Sequence, residues 1–192
     1  LLLTLEGTPF LLQGEEIGMT DARYATIEEY NDVGTVNIYR EQVANGADPQ
    51  LVFEKVRATS RDRGRSPYQW SAIESAGFTT GAPWIGVNPN YLTINLEAEL
   101  SDPASVFHYY RQMIALRKRI PALIYGEFIA QEAPTTLYVY QRLYQDQRYQ
   151  IVLNLSEQRV AYPCVGDLLI GNYAATDQNR LQPYEARVYR LV

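Results

Sequence analysis

Gly7-Thr8-Pro9-Phe10-Leu11-Leu12-Gln13-Gly14-Glu15-Glu16-Ile17-Gly18-Met19-Thr20 is the stretch on which the fold turns. Residues 8–13 are a short apolar run closed by Gly7 and Gly14. Such a run suits a strand buried in a parallel sheet, and periodicity alone leaves a helix open. From Glu15 to Tyr30 the chain becomes polar and irregular, as a loop leaving the end of a strand does.

Upstream, Leu1-Leu2-Leu3-Thr4-Leu5 opens the chain without a methionine and reads as the tail of a helix belonging to a longer parent. We therefore expect a fragment. Downstream, residues 35–42 and 49–59 carry helical spacing. The second has Asp48 as N-cap and Pro49 at the first helical position. Residues 61–102 are rich in Gly, Pro, Asn and Trp, and an ordered stretch of that length is more often functional than idle. A helix is expected over 101–119, capped by Asp102 or Ser101, with Arg117-Lys118-Arg119 at its C-terminal end and Pro121 as its stop.

Past Pro121 the period changes to two. Residues 136–140, 149–154, 167–170 and 186–191 read as strands, the first two joined by a hairpin at Gln145-Asp146-Gln147. Strands at this spacing predict an antiparallel sheet, most simply a small sandwich. The expected domain boundary falls near 119–122.

Composition narrows the classes. In 192 residues the net charge is −5, so no broad basic field points to nucleic acid or to an anionic membrane. No apolar run reaches the roughly 18 residues of a membrane span. Cys164 is the only cysteine and His108 the only histidine, which excludes an intramolecular disulfide and a zinc thiolate cluster. No metal and no cofactor is expected. The sixteen tyrosines suit sheet faces and carbohydrate sites alike.

A second stretch carries chemistry: Arg61-Asp62-Arg63-Gly64-Arg65-Ser66-Pro67-Tyr68-Gln69-Trp70. Taken with residues 7–20, it resembles the eighth strand and following loop of the α-amylase superfamily, glycoside hydrolase family thirteen. Within that family the chain is most similar to the oligo-1,6-glucosidase group, which includes dextran glucosidases, trehalose-6-phosphate hydrolases and sucrose isomerases. The resemblance continues through Ile27-Glu28-Glu29-Tyr30-Asn31-Asp32-Val33, Ala76-Gly77-Phe78-Thr79-Thr80-Gly81 and Val87-Asn88-Pro89-Asn90-Tyr91 to Leu116-Arg117-Lys118. It implies an α+β fragment: the last β/α unit of a (β/α)₈ barrel with the long loop after strand eight (1–120), then a C-terminal antiparallel β-sandwich (121–192).

The same resemblance implies that Arg61 contacts the glucose on the non-reducing side of the cleaved bond. A guanidinium suits this because its planar fork can bond vicinal hydroxyls and a carboxylate together. Asp62 and Arg65 are expected to fix the loop from within. Two departures stand out. Arg63-Gly64 replaces the family's usual Asn-Ala, and Gly34 replaces a glutamate that helps hold the leaving-group sugar. We therefore expect Gly34 to be a substrate-selectivity position, and no strict preference for isomalto-oligosaccharides.

Glu15 and Glu16 are not nominated as catalysts. Retaining glycosidases need two carboxyl groups about 5 Å apart on opposite sides of the bond, and sequence neighbours project differently. The resemblance implies that the nucleophile and the general acid lie earlier in the barrel, so no catalytic residue is assigned here. The parent is expected to be a cytoplasmic exo-acting α-glucosidase that cleaves short oligosaccharides or disaccharides with retention. The chain alone is expected to be inactive and to self-associate through exposed barrel surface. Competing readings are a non-catalytic carbohydrate-binding β-sandwich, a transporter heavy-chain relative, and, inside the family, a trehalose-6-phosphate hydrolase or a sucrose isomerase.

Overall fold

A computed structural model describes residues 1–174 and 177–191. The chain forms two compact units, one of residues 12–108 and one of residues 1–11 with 109–192.

In the 12–108 unit, α1 (Val33–Ala44) and α2 (Pro49–Thr59) form a helical pair. Each starts on an aspartate. The Asp32 carboxylate accepts from Thr35 N, and the Asp48 carboxylate accepts from Gln50 N, satisfying donors that a helix start leaves open. Val52, Phe53 and Val56 of α2 pack with Ala22, Tyr24, Tyr30 and Ile85 in one buried cluster. The long stretch after α2 is held by three 3₁₀ turns and capping side chains rather than by sheet. It ends in α3 (Leu96–Ser101), capped by Asn95.

The expected helix over 101–119 begins later, as α4 (Val106–Arg119). Asp102 is spent on a turn, accepting from Ala104 N at 2.9 Å, and Ser105 takes the capping place by accepting from His108 N at 3.4 Å. Pro121 does end that helix, but it also opens α5 (Pro121–Tyr125), because its fixed φ suits a first helical position.

The other unit is built on a five-stranded antiparallel sheet in the order β1-β2-β3-β7-β5. Its strands are β1 (Glu127–Ala130), β2 (Leu137–Tyr144), β3 (Gln147–Asn154), β5 (Asp167–Gly171) and β7 (Ala186–Leu191). A two-stranded sheet joins β4 (Val160–Ala161) to β6 (Arg180–Leu181). β2 and β3 meet at a two-residue loop where Gln145 takes φ +52°, as the first central residue of a tight hairpin can require. The pairings Tyr140↔Ile151 and Ile151↔Val188 put these three on one face, packed with Met113, Leu116, Ala122 and Leu123. The alternate residues Val139, Val152 and Tyr189 form a second cluster with Leu181 and Cys164. Both faces of the sheet are therefore covered.

Residues 8–13 differ from expectation. Among the described residues they form no strand, and Phe10 and Leu12 are 84% and 59% exposed. A parallel strand exists through its neighbours' hydrogen bonds, and the described residues supply none beside it. Leu1–Leu5 makes a single turn, with Leu5 N on Leu1 O.

Candidate active-site loop

The loop that follows Gln13 opens with Gly14 at φ +107° and Gly18 at φ +69°, and between them residues 15–17 make one 3₁₀ turn. Only glycine takes such backbone angles without strain. The turn is tied down by Glu16. Its Oε2 accepts from Gly14 N at 2.8 Å, and its Oε1 accepts from the Tyr68 hydroxyl at 2.7 Å. Burial, and then the Glu16 bond, push the Tyr68 pKa up, so the phenol stays a donor. Glu15 is exposed.

A denser network surrounds the start of α1. Asp62 is fully buried, and its Oδ2 accepts from Asn31 N at 2.7 Å and from Asp32 N at 2.6 Å. Its Oδ1 lies 3.3 Å from Arg65 Nη1. Asp32, also buried, receives Thr35 N at 3.0 Å and Thr35 Oγ1 at 2.8 Å on Oδ2. On its Oδ1 it receives Arg61 Nε at 2.9 Å and Arg61 Nη2 at 2.6 Å. Burial pushes the Asp32 pKa up, but the bonds from Thr35 and Arg61 outweigh it and leave it below the usual carboxylate value.

Arg61 itself is 69% exposed, so the donors that Asp32 does not use are open to a ligand. Gly34 lies two residues beyond Asp32 in the first turn of α1, and a Cβ built on it would come 3.4 Å from Asp32 Oδ2. The structure thus brings the two sequence-nominated positions, Arg61 and Gly34, to one carboxylate.

Arg63 bonds Asp21 and the Ala58 carbonyl. Arg61, Arg63 and Arg65 are therefore each met by an aspartate. A cleft of about 490 Å³ opens beside them, lined by Gly14, Met19, Arg65, Tyr68, Trp70 and Phe78 among others. Tyr68 and Trp70 sit with ring centroids 4.6 Å apart. Arg61 and Gly34 do not line this cleft. His108 Nε2 lies 3.2 Å from the Leu100 carbonyl, and its ring meets Phe107 edge-on. No group of three or more His, Cys, Asp or Glu able to hold a metal occurs among the described residues, and no helix there is long and apolar enough to cross a membrane.

Asp32 is the residue that sequence reasoning missed. An aspartate ahead of a helical run is a cap signal and could have flagged it. Its bond to an arginine 29 residues away has no local signature.

The family model described as "Alpha amylase, catalytic domain" matches residues 1–126. The chain belongs to the α-amylase superfamily, within its oligo-1,6-glucosidase group. The oligo-1,6-glucosidase of Parageobacillus thermoglucosidasius is 43% identical over 97% of this chain and 36% of its own length. The trehalose-6-phosphate hydrolase of Escherichia coli K12 is 37% identical over 95% of this chain and 35% of its own. Among solved structures, the isomaltulose synthase of Klebsiella sp. LX3 superposes with a TM-score of 0.91 at 36% identity, over 98% of this chain and 36% of that one. The chain thus spans little more than a third of the length of these α-amylase-superfamily relatives.

Proposed function

We propose that this chain is the C-terminal part of a retaining, exo-acting α-glucosidase that hydrolyses short, neutral α-linked glucosides. In this reading residues 1–120 complete a (β/α)₈ catalytic domain, and residues 121–192 form a C-terminal β-domain. Bond breaking belongs to an aspartate nucleophile and a glutamate acid/base outside this chain, which form and then hydrolyse a β-glucosyl-enzyme. This chain supplies substrate contact. Arg61 reaches the glucose, and position 34 borders the leaving-group sugar.

The observation that carries the reading is the state of Arg61. Its guanidinium is anchored through Nε and Nη2 to a buried carboxylate while the side chain stays 69% exposed. A planar fork held on one side and open on the other is suited to paired sugar hydroxyls. The pairing of every arginine in residues 61–65 with an aspartate supports a neutral sugar over a phosphorylated one. Tyr140, Tyr149 and Tyr189 are buried within the sheet, which favours an enzyme part over a glycan-binding sandwich.

The test is steady-state kinetics of the full-length enzyme with Arg61 replaced. Arg61→Ala should lower kcat/KM on isomaltose or maltose by around a hundredfold or more, since a charge-assisted hydrogen bond contributes about 1.5–3 kcal/mol. Arg61→Lys should restore only part of it, because an ammonium lacks the planar fork. Near-normal kinetics in Arg61→Ala would overturn the assignment.

A further inference from the structure

We propose that Asp32 is the positioning residue for Arg61, dividing its carboxylate between two tasks: Oδ2 fixes the start of α1 and Oδ1 orients the guanidinium. This deepens the proposed function and rests on its reading of Arg61 as a sugar contact. The division is visible atom by atom. Both Thr35 donors, N at 3.0 Å and Oγ1 at 2.8 Å, fall on Oδ2. Both Arg61 donors, Nε at 2.9 Å and Nη2 at 2.6 Å, fall on Oδ1, with Arg65 Nη1 3.5 Å from the same atom.

A helix cap alone does not need this arrangement. Asparagine and serine cap as well as aspartate does, through one oxygen. The second, charged oxygen matters to the guanidinium. Arginine is a long side chain with much rotamer freedom, and an exposed one has little else to fix it. Asp32, by contrast, is only 6% exposed, and its own backbone N–H is held by the buried Asp62 at 2.6 Å. A rigid acceptor thus points a mobile donor. Because a Cβ at position 34 would lie 3.4 Å from Oδ2, the residue chosen there abuts the same carboxylate. Leaving-group selectivity and glucose contact are thereby joined through Asp32.

The experiment uses the full-length enzyme with Asp32→Asn and Asp32→Ser, two replacements that keep a cap and remove the charge. Both should melt within a few degrees of the parent yet lose roughly tenfold to a hundredfold in kcat/KM on isomaltose, as expected when a contact is displaced by about 1 Å. In an Arg61→Ala background, Asp32→Asn should cost less than a further twofold, since the residue it positions is already gone. Kinetics within twofold of the parent for both variants, or a full additive loss in the double variant, would overturn the proposal. So would an activity loss that merely tracks a collapsed melting temperature in both, which would leave Asp32 a cap and nothing more. If Arg61→Ala is itself near normal, the glucose-contact reading falls and this proposal falls with it. A hundredfold loss there with unaffected Asp32 variants would remove only the positioning role.

Discussion

At the first turn of α1, we propose that a single missing side chain sets leaving-group selectivity. Gly34 takes no positive φ, and its Cβ position meets Asp32 Oδ2 only at an ordinary contact distance of 3.4 Å. A side chain can be added there without backbone strain, and a carboxylate near a helix N-terminus is electrostatically welcome. Gly34→Glu in the full-length enzyme should raise the isomaltose-to-maltose ratio of kcat/KM on the order of tenfold, the worth of one or two hydrogen bonds to the leaving-group sugar. The shift should shrink for an aryl glucoside, which lacks those hydroxyls. An unchanged ratio, or an equal shift with the aryl substrate, would place Gly34 away from that subsite. Acidity offers a second handle on the same cluster. Asp32 has a folded pKa below its unfolded value, so its stabilisation is present above about pH 4 and fades as acid protonates the folded carboxyl. Asp32→Asn should accordingly blunt the acid limb of stability measured by thermal melting between pH 2 and 6. An identical pH profile would contradict that.

Among the elements, β7 is anchored by a buried ion pair. Arg187 and Glu185 are both fully buried and joined at 2.7 Å. Arg187 also donates to the carbonyls of Asp177 at 2.8 Å and Arg180 at 2.6 Å, and so ties Asp177 and β6 to the large sheet. Arg187→Ala leaves a buried carboxylate unpaired and should destabilise by about 3–5 kcal/mol, read by chemical denaturation. Removing both charges with apolar replacements should cost less than the single change. A single change worth under 1 kcal/mol would show that Glu185 finds another partner. Elements of this kind also mark how far the sequence could be read. α2 was legible to the residue, because Asp48, Pro49 and the apolar spacing are local signals. β2, β3, β5 and β7 were legible through alternation, although the ends of all but β7 shifted by one to four residues. β4 and β6, at two residues each, and the four-residue β1 were missed because their pairing is set by tertiary contact rather than by pattern. The α4 cap was misplaced because Ser101, Asp102 and Ser105 all carry capping chemistry, and only the turn at Asp102 decides among them. At the site, Arg61 was reachable through a motif. Asp32's second bond was not, since a contact spanning 29 residues leaves no local periodicity.

For the molecule as a whole, the apolar stretch before Gly14 dominates behaviour in isolation. Phe10 is 84%, Leu12 59% and Leu1 52% exposed, a surface that water disfavours and a second copy can cover. The 192-residue chain by itself should therefore self-associate in sedimentation and should not hydrolyse a chromogenic α-glucoside. A monodisperse monomer would count against the first expectation. Turnover abolished by replacing Glu15 or Glu16 would count against the second. For the full-length enzyme we propose that glucose is released through a covalent intermediate, with Arg61 holding the sugar and catalytic carboxylates supplied from outside this chain. The most direct measurement is the anomeric form of the first glucose released from isomaltose or maltose, followed by proton NMR before mutarotation. α-Glucose should appear first, with the β anomer growing in later at the mutarotation rate. Initial release of β-glucose would show inversion and contradict a retaining mechanism.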